Sequence, residues 1–327
     1  MKVAVYYKNN DVWIEERSKP EISDGEILVK MKASGICGTD VMEWYRIKKA
    51  PRVLGHELAG VIVESKSDKY AIGQRVFVSH HVPCNVCKYC RAGNHTACET
   101  LHNGNYEPGG FSEFVRVPKI NVLFGTYLLP ENVSYEEATM MEPIACVLRA
   151  QRIMNVAKGQ IVIVMGSGVS GLLNILIAKL RGAKVVATDI NEYRLKKAKD
   201  CGADSVLNAG EEITVKAEHI IMCTGAMPAF EKAFKCADKK GTIMLFAIPK
   251  ENISIPNAEF WRNELTLISS YGAAPRDLEE SLELIKSGKI DAKSLITDRF
   301  SLDDVQKGFE TATAAKESLK VVIIPNA

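Results

Sequence analysis

Hydrophobic spacing divides this chain into two textures. Up to about residue 135, apolar residues fall in short runs broken by Gly, Pro and Asn, as in Leu28-Val29-Lys30-Met31 and Gly60-Val61-Ile62-Val63. Short apolar runs bounded by turn formers predict the strands of an irregular β-rich domain. The opening residues Met1 to Tyr6 read as a strand rather than a signal peptide. From about 145, apolar strands alternate with helical patterns. Ile161–Val164 gives way to a helix through Leu172 to Leu180, then to Lys184–Ala187, with further strands at Ile220–Met222 and Gly241–Leu245. That rhythm predicts a parallel sheet covered by helices. Near 271 the pattern changes again, and a helix from Leu278 to Lys286 leads to a final strand, Lys320–Ile324. The expected fold class is α/β, with segments 1–144, 145–270 and 271–327.

The 327 residues are enough for two domains. A chain that is 46% hydrophobic and 25% charged is ordinary for a soluble globular protein. The net charge of +2 gives no electrostatic reason to expect nucleic acid or an anionic membrane as partner. No apolar run reaches the length of a membrane span, and a cytoplasmic location is expected.

Cysteine usage adds chemistry. Cys84, Cys87, Cys90 and Cys98 have the spacing C-x2-C-x2-C-x7-C, which suits a closed tetrahedral zinc site that staples a lobe and leaves no position for a reaction. Scattered Cys146, Cys201, Cys223 and Cys236 read as small buried apolar residues. Thiolates reserved for metal fit a reducing compartment. His80 and His81, next to the cluster, read as strand-end residues.

Gly166-Ser167-Gly168-Val169-Ser170-Gly171 is G-x-G-x-x-G, placed between an apolar strand and a helical run. In that context the glycines allow a tight turn and let a pyrophosphate approach the helix N-terminus. The next strand ends in Asp189, positioned to bind ribose hydroxyls. Ile190 follows it, so no adjacent Arg welcomes a 2′-phosphate, and NAD is expected over NADP.

A second ligand set is dispersed. Cys37 lies in Gly35-Ile36-Cys37-Gly38-Thr39-Asp40, His56 and Glu57 in Gly55-His56-Glu57-Leu58, and Glu142 in Met141-Glu142-Pro143. A thiolate, an imidazole and one or two carboxylates suit zinc with a position open for substrate. Each also has a plain alternative: a core thiol, a satisfied histidine, a helix-capping glutamate.

Together these motifs, in this order over nearly the whole chain, resemble the zinc-dependent medium-chain dehydrogenases, and most of all the sorbitol and threonine dehydrogenase branch. The resemblance implies a GroES-like catalytic domain (1–144), a Rossmann doubly wound domain (145–270) and a C-terminal return to the catalytic domain (271–327). It implies two zinc ions, one held by Cys37, His56 and either Glu57 or Glu142, the other by the four clustered cysteines. Asp40 would orient His56, and Gly166, Gly168, Val169, Gly171, Asp189, Arg194 and Thr224 would bind NAD. The implied reaction is hydride transfer between a secondary alcohol (polyol, cyclitol or amino alcohol) and NAD, with Thr39 passing on the proton. A homodimer or homotetramer is implied as well. Met42 stands where the family often has a relay histidine, and Ser270-Tyr271 where sorbitol dehydrogenase has Arg-Tyr. The loop after Cys37 is shorter, and its Glu43, Trp44, Tyr45 and Arg46 are expected to line the pocket. The alternatives are a primary-alcohol or aldehyde dehydrogenase and a zinc- and NAD-binding protein without catalysis. A nucleic-acid-binding zinc module is disfavoured by the near-neutral charge.

Overall fold

The computed structural model describes residues 1–325 and divides into two compact units, Met1–Ala145 together with Gly272 onward, and Cys146–Tyr271.

The first unit is built around the strand Ile27–Ile36, which pairs antiparallel with Glu57–Ser65; that strand pairs in turn with Arg75–Ser79, and Arg75–Ser79 with Thr126–Leu128. On its other edge the central strand takes Lys320–Ile324 antiparallel, in the register Val321↔Ile36, Val322↔Gly35 and Ile323↔Ser34. Ile296–Ser301 adds to that strand in parallel. A separate sheet joins Asp11–Glu16, Lys2–Lys8 and Arg52–Val53. The core lies between the sheets. Val5 and Tyr6 meet Ile27, Val29 and Met31 there, together with Phe309 from the helix Val305–Ala314. The Phe309 ring lies 5.7 Å from that of Tyr6 and 5.8 Å, edge-on, from that of Phe111, favourable geometries for aromatic pairs.

The second unit is a six-stranded parallel sheet in the order Ser205–Asn208, Lys184–Asp189, Ile161–Met165, Ala217–Met222, Ala237–Leu245, Thr266–Ser269. The chain winds outward in one direction from Ile161–Met165, then returns to add strands on its other side. Val164 therefore pairs with Ala187 on one side and Ile221 on the other. The switch point lies at the carboxyl end of Ile161–Met165, where open α/β sheets bind ligands. The next helix, Val169–Leu180, buries Leu172, Leu173, Ile175 and Ile177.

The strands and helices expected from spacing form where apolar spacing is regular. Shorter pieces escape it. Tyr135–Thr139 is a five-residue helix, started by a reciprocal Ser134–Glu137 capping box. The helix expected from Leu278 begins earlier, at Pro275, and the Asp277 carboxylate accepts the Ala274 N–H at 2.8 Å. Cys236 is buried as expected, whereas Cys146, Cys201 and Cys223 are only partly so. Burial nevertheless pushes the Cys201 thiol up to about 11 and the Cys223 thiol up to about 12. Among the described residues, no helix is long and apolar enough to cross a membrane.

One ion pair gives the first unit a pH signature. Glu26, 6% exposed, accepts Nε and Nη2 of Arg116 at 2.8 and 2.7 Å. The Arg116 hydrogen bonds hold the Glu26 carboxyl below its ordinary value, against burial. A depressed carboxyl contributes stability that is present above its unfolded pKa and lost as pH falls through its folded pKa. Glu26→Gln should therefore cost about 1–2 kcal/mol at pH 7. Urea unfolding at pH 7 and at pH 3.5 should show the gap between mutant and parent shrinking in acid.

Candidate metal centre and dinucleotide loop

The central strand of the first unit ends at Ile36 and its neighbour begins at Glu57, with Gly35 paired to Glu57. Antiparallel pairing thus brings Cys37 and His56 to the same edge of the sheet. Ligand atoms of Cys37, His56 and Glu57 lie within 4.8 Å of one another. Glu142 sits in the first turn of the helix Met141–Ile153, nine-tenths buried and outside that triplet, though its charge reaches Glu57 and Lys320.

Asp40 orients this group. Its fully buried carboxylate accepts the Cys37 N–H at 3.1 Å and Nη2 of Arg46 at 3.1 Å, and lies 3.4 Å from Nδ1 of His56. Despite burial, the neighbouring His56 and Arg46 hold the Asp40 carboxyl below its ordinary value. Contact at Nδ1 leaves Nε2 of His56 for a ligand. The Thr39 hydroxyl donates to Sγ of Cys37 at 3.3 Å and accepts from Nη2 of Arg46 at 2.9 Å.

Lys320 was not legible in the sequence. The register Val321↔Ile36 sets it beside Cys37. Its ammonium, 3% exposed, donates to the Ile36 carbonyl at 3.1 Å and to Oε2 of Glu57. Glu57 holds the Lys320 ammonium above its ordinary value in spite of burial. Gly35 makes room for the pair, because a Cβ there would lie 1.9 Å from Oε2 of Glu57 and 2.8 Å from Cε of Lys320. A glycine inside a strand signals close approach of this kind. The other Glu57 oxygen, Oε1, is buried and has no hydrogen-bond partner among the described residues. A buried unsatisfied carboxylate oxygen beside a thiol and an imidazole fits a bound cation. His80 and His81 follow the strand Arg75–Ser79, as expected, and the His80 ring lies 4.8 Å from that of His56.

The four sulfur atoms of Cys84, Cys87, Cys90 and Cys98 also lie within 4.8 Å of one another. Backbone N–H groups of Cys87 and Cys84 donate to Sγ of Cys84 and Cys98, each at 3.3 Å. Burial pushes the Cys90 thiol up to about 12, whereas the N–H groups of Cys84 and Leu101 overcome burial and pull Cys98 down to about 6. The lobe's own core contains Leu101 as its one large apolar side chain among the described residues. Donor set and spacing fit zinc.

In the second unit, Gly166 has φ +93° and lies against Cys223 and Thr224. Gly171 passes so close to the Gly166 carbonyl that a Cβ would lie 1.9 Å from its oxygen. Around Gly168 a Cβ would meet nothing within 4 Å, and the helix starts at Val169. Loop and helix start therefore fit a pyrophosphate. Asp189 is pinned by its own backbone surroundings. Oδ2 accepts the Ser167 N–H at 2.7 Å, Oδ1 accepts the Asn191 N–H at 3.0 Å, and Nη1 of Arg194 stands 3.9 Å away.

Residues 23–125 match the alcohol dehydrogenase GroES-like domain and residues 170–287 the zinc-binding dehydrogenase domain. The chain is 30% identical to sorbitol dehydrogenase of Bacillus subtilis (strain 168) over 100% of its own length and 98% of the relative's. The chain belongs to the zinc-dependent medium-chain dehydrogenases. It is 32% identical to L-threonine 3-dehydrogenase of Rhizobium etli (strain CIAT 652), over 95% of its own length and 94% of the relative's. Among solved structures, an Escherichia coli oxidoreductase/dehydrogenase of unknown specificity superposes with a TM-score of 0.90 at 27% identity, covering 100% of this chain and 99% of that one. Two more cover 99% of each chain: an E. coli CFT073 alcohol dehydrogenase in complex with NADH (29% identity, TM-score 0.88) and a Sinorhizobium meliloti 1021 zinc-binding dehydrogenase bound to NADP (26%, 0.87). As a member of this family the chain is a dehydrogenase.

The buried pair generates a test. Lys320→Met leaves Glu57 buried without its counter-ion, which typically costs about 3–5 kcal/mol. In chelator-treated protein, urea unfolding should show that loss, and Lys320→Met combined with Glu57→Gln should recover most of it. A double mutant no more stable than Lys320→Met would mean the two side chains are not energetically coupled.

Proposed function

We propose that this dehydrogenase transfers a hydride between a secondary alcohol of the polyol, cyclitol or amino alcohol class and NAD, using one catalytic and one structural zinc ion. The observation that carries the reading is the convergence of Cys37, His56 and Glu57 within 4.8 Å, with the Thr39 hydroxyl 3.3 Å from the Cys37 sulfur. The resemblance of the chain to sorbitol and L-threonine 3-dehydrogenases supports the substrate class.

Cys37, His56 and either Glu57, which lies in the triplet, or Glu142 would hold the catalytic zinc. The ion would supply Lewis-acid polarisation of the substrate oxygen. Bound at Gly166–Gly171 and Asp189, with Val169, Arg194 and Thr224 alongside, NAD would supply the hydride acceptor. The chain's own residues handle orientation and the proton. Asp40 fixes the His56 ring. Thr39 offers a hydroxyl whose oxygen has two lone pairs, one taken by Arg46 and one available for a substrate hydroxyl. The Arg46 contact makes that hydroxyl a better proton donor and also stabilises negative charge beside it. Met42 brings no titratable group to the loop, so a proton leaves Thr39 through water or the cofactor ribose. Cys84, Cys87, Cys90 and Cys98 would hold the second zinc and substitute for the core their lobe lacks.

Metal analysis of fully loaded protein should give two zinc ions per chain. Cys37→Ala should lose turnover and one zinc while keeping its fold, and Cys98→Ala should mainly lose stability. A single zinc in the loaded parent protein would refute the scheme. Thr39→Val keeps the shape of the side chain and should lower kcat by about 10²–10⁴-fold. Near-normal turnover by that variant across the pH range would remove Thr39 from the proton path. Asp189 repels a 2′-phosphate by like charge, and Arg194 stands beside it as a counter-ion. NAD should therefore exceed NADP in kcat/KM, and Asp189→Ala should narrow the gap by roughly tenfold or more. Equal use of both cofactors by the parent enzyme would overturn that assignment.

A further inference from the structure

The two carboxylate oxygens of Glu57 are used differently. Oε2 accepts from the Lys320 ammonium, whereas Oε1 is buried and has no hydrogen-bond partner among the described residues. Both side chains are sealed from water, Glu57 at 0% exposure and Lys320 at 3%. The same ammonium donates at 3.1 Å to the carbonyl of Ile36, the residue before Cys37. One buried cation is thus fastened to a candidate metal ligand and to the backbone that leads into another. The fit is deliberate in the backbone too, since only a glycine at position 35 leaves room for it: a Cβ there would lie 1.9 Å from Oε2 and 3.0 Å from Nζ.

Stability gives little reason for such a lysine. A buried ion pair regains little of what its two charges lose on leaving water, and a well-packed apolar residue often does as well. Beside a cation site it is stranger still, because its charge opposes the metal that Cys37, His56 and Glu57 would attract. Two effects on Glu57 follow from the geometry. With Oε2 committed to an ammonium, the carboxylate can reach a metal only through Oε1. Its charge is also offset by Lys320, which makes it a poorer ligand than a free carboxylate.

We propose that Lys320 is a positioning residue for the metal centre, which restrains Glu57 to a single, weakened oxygen contact so that the metal keeps a position open for substrate. This rests on the zinc-dehydrogenase reading above and gives the C-terminal strand a part in it. Lys320 touches no reacting atom and acts through Glu57. Its removal frees a buried carboxylate to close on the metal, so zinc is held more tightly and turnover falls.

The test is zinc affinity, read at one fixed pH by chelator competition with the full-length protein. The zinc step that Cys37→Ala lacks identifies the site. Altering a partner of a metal ligand typically weakens metal binding by about 10–100-fold. Lys320→Met should instead tighten it by a similar factor, while turnover of the zinc-loaded enzyme falls roughly tenfold or more. Glu57→Gln leaves the lysine charge unopposed and should loosen the zinc, and adding Lys320→Met to it should tighten the zinc again. That double variant carries neither buried charge, so it supplies the sign even if Lys320→Met alone fails to fold. Failure of Lys320→Met to tighten zinc in any background that folds, as a purely structural lysine would give, overturns the proposal. Tighter zinc with turnover unchanged overturns it as well. A parent protein that binds this zinc and oxidises no alcohol overturns the dehydrogenase reading alone, and the affinities still decide the role of Lys320. A parent without the zinc step at Cys37 overturns both.

Discussion

A lysine and a glutamate sealed beside the candidate metal centre set the terms for the first unit. Lys320 and Glu57 come from strands on opposite sides of Ile27–Ile36, and their contact crosses that strand above Gly35. A pair so deeply buried gains little net stability, because two charges leave water to form it. Its effect is on arrangement. It fixes one oxygen of Glu57 and leaves the other buried without a hydrogen-bond partner among the described residues. It also ties the register of the C-terminal strand to the position of a candidate metal ligand. A slip of one residue would turn Lys320 to the opposite face of the sheet.

The second unit uses backbone rather than charge for the same end. Gly166 lies in a loop, Gly171 in the helix after it and Asp189 at the end of the next strand, yet the loop N–H of Ser167 ends on the Asp189 carboxylate. The acid that would face a ribose also holds the turn that would face a pyrophosphate. Loop shape and ribose recognition are therefore set together, and a change at Asp189 acts on both.

What could be read from the sequence is what depends on local spacing. The strands of the second unit are continuous apolar runs, the fingerprint stands between a strand and a helix, and the four cysteines lie close enough in sequence to define their own site. The Cys37, His56 and Glu57 triplet was legible only as motifs, since 18 residues separate its first two members and pairing of the two strands unites them. Lys320 could not be found in this way, because a lysine heading an apolar strand reads as a solvent-facing edge. Gly35 was the available signal, a glycine inside a strand. Cys146, Cys201 and Cys223 are less buried than their residue type suggests, because each lies at or near the end of an element or in its first turns. Short helices such as Tyr135–Thr139 contain too few residues for a period to show.

The long separation between Glu57 and Lys320, 263 positions along the chain, has a consequence for biosynthesis. On the ribosome Cys37, His56 and Glu57 are made early, while the strand that supplies their counter-charge is made only after the whole parallel-sheet unit. A nascent chain therefore carries Glu57 without Lys320, and Ser34–Ile36 without its C-terminal partner strand, throughout that interval. The Cys146–Tyr271 unit draws its sheet entirely from its own residues and has no such wait. Translation thus delivers every strand of the parallel-sheet unit before the first unit receives the strand bearing Lys320.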